Sequence, residues 1–162
     1  MKPPAWWKGT RGEWYVIAQI VFVILIIAGP RTWNGWPSWA FPRGTSVSLA
    51  GVALLLCGAG LVAGGALKLG SALTPLPRPG ARTVLQETGA YRVVRHPMYC
   101  GAILAAFGWV LLSHGWLTIA YVAAACVFID VKVRREEKWL LERFPEYEEY
   151  RRRVRKFIPF VY

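Results

Sequence analysis

The chain has 162 residues, of which 55% are hydrophobic, and it carries a formal net charge of +11 at pH 7. A soluble domain of this size seldom combines so high an apolar content with such an excess of base. The charges also lie in short stretches between long uncharged ones. The composition therefore argues against a soluble domain and predicts one compact integral membrane bundle.

Four apolar runs follow one another along the chain, at residues 14–29, 47–73, 97–112 and 116–131. A membrane-spanning helix needs about 20 apolar residues, with roughly 17 as the lower limit. The last two runs are slightly short and are separated by three residues, which predicts a tight helical hairpin with flanking Trp and basic residues at the interface. We predict an all-α polytopic bundle of four transmembrane helices, with a re-entrant hairpin as the alternative for the short pair.

Lysine and arginine are distributed unevenly between these runs. Three precede the first run, two follow it, five lie from Lys68 to Arg95, and ten lie from Lys132 onward. With both termini on one side of the membrane, that side holds eighteen and the other holds two. The positive-inside bias predicts that both termini, the loop 74–96 and the tail 132–162 are cytoplasmic, with the Trp-rich segment 33–39 as an anchor on the opposite side.

Two patterns inside the apolar runs indicate packing. Cys57, Cys100 and Cys126 form an odd set within apolar runs, which indicates neither a disulfide framework nor a zinc site. Residues 58–63 have the spacing of a dinucleotide-binding loop, but that loop requires a preceding strand and a turn. The glycines predict a face of small side chains for close helix packing instead, with Gly60 and Gly64 four residues apart. The full set is Gly51, Gly58, Gly60, Gly64 and Gly65.

The loop 74–96 contains the first candidate site. Three prolines exclude a helix at its start, and residues 83–91 are predicted to be extended, ending in a glycine turn. Pro97 suits the first position of a helix. The free amides and positive dipole end of that helix would then lie beside Arg95 and His96 and favour a carboxylate or a phosphate.

A positive-inside cluster that contacts lipid phosphates is the alternative for these residues. His96 and the tyrosines at positions 91 and 99 favour a ligand site, because a lipid-facing charge cluster does not need them.

The tail 132–162 contains the second candidate site. The fourth helix is predicted to continue beyond the membrane and to end before Pro145, which opens a basic amphipathic helix over 146–156. Glu136 and Glu137 lie among basic residues and are suited to bind a cation or to orient a donor. The alternative is a set of surface ion pairs of little energetic weight.

These segments resemble a known family. Residues 89–99, which contain Arg-His-Pro-Met-Tyr, precede the hairpin, and the paired glutamates and the Phe-Pro-Glu-Tyr-Glu-Glu-Tyr of residues 144–150 follow it. The arrangement resembles the isoprenylcysteine carboxyl methyltransferase and phospholipid methyltransferase superfamily over residues 73–162. The resemblance implies a small helical membrane bundle that binds S-adenosylmethionine at its cytoplasmic end without a Rossmann domain.

The resemblance also implies roles for individual residues. Arg143 would bind the methyl acceptor and Glu137 would hold that arginine, so that both serve catalysis. Lys132 is a further candidate contact to the acceptor's headgroup, and no metal ligand is expected. The implied cofactor contacts are Thr83, Val84, Leu85, Gln86, Tyr91, Arg95, His96, Pro97, Met98, Tyr99, Glu136 and Glu137.

Three functions remain open on the sequence. The first is an S-adenosylmethionine-dependent carboxyl O-methyltransferase of the isoprenylcysteine type, and the second is a phospholipid N-methyltransferase in which a glutamate takes the proton of the amine. The third is a non-enzymatic membrane subunit. The expected partner is a membrane lipid or a prenylated small molecule or protein, with no nucleic acid. The glycine-rich helices suit either a dimer or packing within one bundle.

Overall fold

The computed structural model describes residues 9–34, 36, 44–80, 83–159 and 161–162. Within these ranges the chain forms five α-helices and no β-strand, which confirms the all-α class. Short 3₁₀ turns occupy Gly70–Ala72 and Gly89–Arg92. The helices are α1 (Glu13–Ala28), α2 (Thr45–Leu69), α3 (Pro97–Ser113), α4 (Trp116–Arg143) and α5 (Tyr147–Arg153).

Two of these helices are long and apolar enough to cross a membrane. They are α2 with its 3₁₀ turn and α4, each 28 residues long. Helices α1 and α3 are apolar but have only 16 and 17 residues. Length and composition therefore support two of the four predicted spans, and the spans of α1 and α3 stay a prediction. Several basic residues used in the charge argument, and most of the predicted Trp-rich anchor, lie outside the described residues; they are Lys2, Lys8, Arg43, Arg82 and residues 35 and 37–39.

Glycines allow α2 and α3 to pack backbone against backbone. A Cβ at Gly58 would lie 2.4 Å from the carbonyl oxygen of Gly101, and one at Gly108 would lie 2.6 Å from the carbonyl oxygen of Gly51. On each helix the two contacting glycines are seven residues apart, which is about two helical turns. The close approach therefore runs along one face of each helix.

The segment 58–63 lies within α2 and is continuous helix, so it is not a dinucleotide-binding loop. A Cβ at Gly60 or Gly64 would meet open space, with no atom within 4 Å. Within the described part of this chain, Gly60 and Gly64 therefore make no helix contact, whereas the predicted Gly51 and Gly58 do; contact of the pair with a second copy stays a prediction. Gly60 is two residues from Gly58, which rotates it about 200° around the helix and away from α3.

The C-terminal part of the chain returns to the start of α3. Helix α5 covers seven residues, which is shorter than the predicted 146–156, and it begins after the turn that contains Pro145. Beyond it, Arg155 forms a parallel bridge with Val94. The backbone N–H of Arg95 donates to the carbonyl of Arg155 at 2.8 Å.

The extended segment predicted over residues 83–91 is only partly observed. Residues 83–88 have no regular structure, and the 3₁₀ turn Gly89–Arg92 follows. The C-terminal segment takes the pairing position beside the start of α3 instead, so the residues before Pro97 are held by hydrogen bonds from a distant part of the chain.

Candidate active site

A cavity of about 540 Å³ opens where side chains of all five helices meet the loop before α3. This volume is in the range of about 300–1,000 Å³ that small-molecule sites occupy. Eleven of the residues predicted from sequence line it together: Thr83, Val84, Leu85, Gln86, Tyr91, Arg95, His96, Met98, Tyr99, Lys132 and Glu136.

A buried ion pair supports one wall of this cavity. The Nη2 atom of Arg95 lies 2.8 Å from Oε1 of Glu137, and its Nε donates to the same oxygen at 2.9 Å. The Nε2 atom of His96 lies 3.1 Å from that oxygen, and the hydroxyl of Tyr147 donates to it at 3.2 Å. All four side chains are buried. One carboxylate oxygen therefore joins α4, the start of α3 and α5.

Arg95 also holds the C-terminal segment in place. Its Nη1 donates to the backbone carbonyls of Val154 and, at 3.1 Å, of Arg151. Further along that segment, the ring of Phe157 lies 6.1 Å from the ring of His96. The imidazole is thus positioned by both its ion-pair partner and the returning chain.

Glu136 differs from its neighbour because it lines the cavity. Its Oε2 accepts a hydrogen bond from the hydroxyl of Tyr99 at 3.0 Å, and its side chain is half-buried. Glu137 is buried and does not line the cavity. Neither glutamate therefore forms the surface ion pairs that were the alternative interpretation.

The tyrosines around the cavity are neutral hydrogen-bond donors. Burial, with the nearby charge of Glu136, raises the pKa of Tyr91 to about 12. Burial also raises the pKa of Tyr147 and of Tyr150. The hydroxyl of Tyr150 donates to the backbone carbonyl of Tyr91 at 2.5 Å. These phenols remain protonated at physiological pH, so they donate hydrogen bonds and present uncharged aromatic faces.

Lys132 and Gln19 form a polar pair inside the cavity. Lys132 is 2% exposed, its Nζ donates to the side-chain oxygen of Gln19, and the ammonium lies 5.2 Å from the centre of the Tyr99 ring. Gln19 was not predicted as a site residue. It is the only amide or charged residue in the first apolar run, and a polar residue within a predicted membrane segment indicates a functional position.

The proline-rich segment 74–80, at the start of the loop before α3, is not helical, which confirms the prediction. This segment also lines the cavity. Its position is set by Arg78, whose backbone N–H donates to the carbonyl of Arg11 at 3.4 Å and whose Nη1 donates to that of Thr10 at 3.2 Å. Tyr147 and Tyr150 of α5 also line the cavity. Their helical spacing was visible in the sequence, but their distance from the site along the chain concealed this role.

Arg143 lies outside this cavity. It lines a separate cavity of about 220 Å³ with Arg78, Pro79, Trp139 and Glu142. The predicted pairing of Glu137 with Arg143 differs from the structure, in which Glu137 pairs with Arg95. Six residues of helix place the two side chains about 120° apart, on different faces of α4.

One further predicted contact lies outside the cavity, and the potential metal ligands of the described residues are not grouped. Pro97 is buried at the first position of α3 without lining it. Among the residues that the structure describes, no three His, Cys, Asp or Glu side chains are grouped so as to hold a metal ion.

Comparison with known proteins places this architecture in a family. The profile described as phospholipid methyltransferase matches residues 47–147. The chain is 28% identical over 149 residues to the cobalt-zinc-cadmium resistance protein CzcN of Cupriavidus metallidurans, covering 91% of this chain and 62% of that protein. It is 30% identical over 149 residues to the nickel-cobalt-cadmium resistance protein NccN of Alcaligenes xylosoxydans xylosoxydans, covering 91% and 63%.

A third relative matches about half of the chain. The chain is 39% identical over 80 residues to the protein-S-isoprenylcysteine O-methyltransferase of Saccharomyces cerevisiae, covering 48% of this chain and 34% of that protein. The chain spans about three fifths of the length of the two metal-resistance relatives. Because the family profile covers more than half of the chain, including the start of α3 and both glutamates, this protein belongs to the phospholipid methyltransferase family.

Proposed function

We propose that this protein is a membrane methyltransferase that uses S-adenosylmethionine and methylates a lipophilic acceptor, with a carboxylate of the isoprenylcysteine type as the first candidate. The observation that carries this proposal is the cavity in which the loop 83–86, the start of α3 and Glu136 meet. The match to the isoprenylcysteine methyltransferase supports it, because that match covers about half of this chain.

The side chains of the cavity suit this cofactor. The carboxylate of Glu136 and the faces of Tyr91 and Tyr99 attract positive charge, which the sulfonium and the amino group of S-adenosylmethionine carry. Leu85 and Met98 provide apolar surface for the adenine. The residues that would hold the cofactor are therefore the predicted contacts that line the cavity. When bound, S-adenosylmethionine supplies the methyl group for transfer.

The contribution of the chain to the reaction is positioning. Displacement at a methyl group requires the two reacting atoms in line, and holding reactants in that geometry can lower the barrier by several kcal/mol. The ion pair of Arg95 and Glu137 fixes His96 and joins three elements around the cavity. A carboxylate acceptor is already ionised at neutral pH and needs no base.

The membrane arrangement is part of the proposal. We place the cavity at the cytoplasmic face, since it lies at the end of α4 that continues into the basic tail. In this orientation all four apolar helices, α1 to α4, cross the membrane, and the shorter α1 and α3 are accommodated by their flanking residues. A lipid-borne acceptor would then meet a water-borne cofactor at the membrane surface.

Phospholipid N-methylation is the second candidate, and the family profile favours it. An amine acceptor must lose a proton before it attacks. Glu136 is the carboxylate that lines the cavity and is placed to accept it. The difference between the two candidates therefore lies in the acceptor rather than in the cofactor pocket.

Radiolabelled methyl transfer by the purified protein in detergent tests the proposal. A farnesylated cysteine analogue and phosphatidylethanolamine are offered separately. We expect label in the farnesylated analogue; label in phosphatidylethanolamine alone supports the second candidate. Absence of label in both contradicts methylation of these two acceptor classes. The matched variants are Glu136→Gln, expected to lose activity, and Lys138→Gln, which changes an exposed residue of the same helix.

A further inference from the structure

We infer that the ammonium of Lys132 binds an anionic group of the acceptor and that Gln19 of α1 is a specificity-determining residue beside it. This inference rests on the proposed function and names the chemistry of its acceptor: an anion, either a carboxylate or a lipid phosphate, carried on an apolar chain.

The first observation is a buried cation whose direct contacts are neutral groups. Lys132 is 2% exposed, and its ammonium contacts the side-chain oxygen of Gln19 and the face of the Tyr99 ring. Both contacts suit the charged form of the amine. Within the described part of the chain, no carboxylate lies within 4.0 Å of the Lys132 ammonium.

The other buried cations of this site region do have carboxylate partners. Arg95 pairs with Glu137 at 2.8 Å, and Lys156 pairs with Asp130, also at 2.8 Å. A buried charge without a counter-charge is costly, which is why buried ions in proteins are paired. Lys132 lines the cavity. Glu136, one turn further along α4, acts on this ammonium through space, but no ion pair joins the two. A direct counter-charge can therefore come from a ligand that occupies the cavity.

The second observation is the apolar wall next to this ammonium. Val16 and Ile20 line the cavity with Gln19. Spacings of three and four residues place all three on one face of α1. Leu69 and Leu73, from the end of α2 and the residues after it, also line the cavity. A ligand whose anion contacts Lys132 therefore has apolar surface beside it for a hydrocarbon chain.

Gln19 is suited to select for an anion. Its side-chain oxygen accepts from Lys132, which leaves the amide N–H groups to donate to a second acceptor atom. A glutamate at this position would instead supply a carboxylate to Lys132 from within the protein. That change would satisfy the ammonium and repel an incoming anion.

Binding measurements in detergent with three probes test the inference. The probes are farnesylcysteine with a free carboxylate, its neutral amide, and phosphatidic acid. We expect wild-type protein to bind the acid or phosphatidic acid at least about tenfold more tightly than the amide, a difference of about 1.4 kcal/mol. The probe that is preferred identifies the source of the anion as a carboxylate or a phosphate.

The variants Lys132→Met and Gln19→Glu are both expected to remove this preference while leaving affinity for the amide within about threefold. Gln19→Glu keeps the ammonium paired, so it provides the test if Lys132→Met fails to fold. Lys138→Met is the matched control on the exposed side of α4. Equal binding of the acid, phosphatidic acid and the amide by wild type, or an unchanged preference in the folded variants, would overturn the inference.

A parallel titration with S-adenosylhomocysteine separates this inference from the proposed function. Absence of S-adenosylhomocysteine binding by wild type would contradict the methyltransferase proposal. The preference for an anionic probe is measured without cofactor. The two claims can therefore fail independently.

Discussion

Removing the charge of Glu137 is expected to lower the stability of the protein, whereas removing the charge of Glu136 is expected to weaken cofactor binding. In Glu137→Gln, Arg95 loses its buried counter-charge. Breaking a buried pair by removing one partner costs about 3–5 kcal/mol. We expect the lower end, about 3 kcal/mol, because Arg95 keeps hydrogen bonds to two backbone carbonyls. Glu136→Gln keeps an acceptor for the Tyr99 hydroxyl, so its stability should change by less than about 1 kcal/mol.

Thermal unfolding in detergent, followed by tryptophan fluorescence, measures the difference. For a chain of this size, 1 kcal/mol shifts the midpoint by about 2–4 °C, so Glu137→Gln should unfold about 6–12 °C below wild type. Glu136→Gln should unfold near wild type but bind S-adenosylmethionine about tenfold more weakly, because it removes the negative charge that attracts the sulfonium and the amino group. Equal stability of the two variants, or a larger loss in Glu136→Gln, would refute the assignment of their roles.

Two further predictions concern packing and the C-terminal segment. Gly58→Ala places a methyl group against the backbone of Gly101 and should destabilise the protein by about 1–3 kcal/mol. At Gly60 a Cβ meets open space, so Gly60→Ala should be neutral or stabilising by up to about 1 kcal/mol. Equal midpoints of the two variants in thermal unfolding would contradict the observed packing of α2 on α3. Lys156 and Asp130 form an ion pair at 2.8 Å. The effects of Lys156→Gln and Asp130→Asn on the free energy of unfolding should therefore be non-additive, with a coupling of about 0.5–3 kcal/mol in a double-mutant cycle. Additive effects would show that this ion pair does not hold the C-terminal segment on α4.

Much of the fold could be predicted from apolar runs and helix-ending residues. The predicted boundaries of the first, third and fourth helices agree with their observed starts to within one residue, because Pro97 and the charged flanks mark those positions locally. Ten of the twelve residues predicted to contact a cofactor line one cavity, since most of them lie within two short segments of the chain.

Contacts that depend on how a helix is rotated about its axis could not be predicted from the sequence in the same way. Glu136 and Glu137 are neighbours in sequence, yet about 100° of rotation on α4 places one at the cavity and the other in a buried ion pair. The pairing of Gln19 with Lys132 joins residues 113 positions apart. Such a contact is decided by how α1 packs on α4, and no local pattern specifies it.

The central claim is that the cavity between the start of α3 and Glu136 binds the methyl donor. Isothermal titration of the purified, folded protein with S-adenosylmethionine, in the absence of an acceptor, tests it most directly. We predict saturable binding by wild type and by Lys138→Gln, with about tenfold weaker binding by Glu136→Gln. No detectable binding by folded wild-type protein, or equal affinity in wild type and Glu136→Gln, would contradict it.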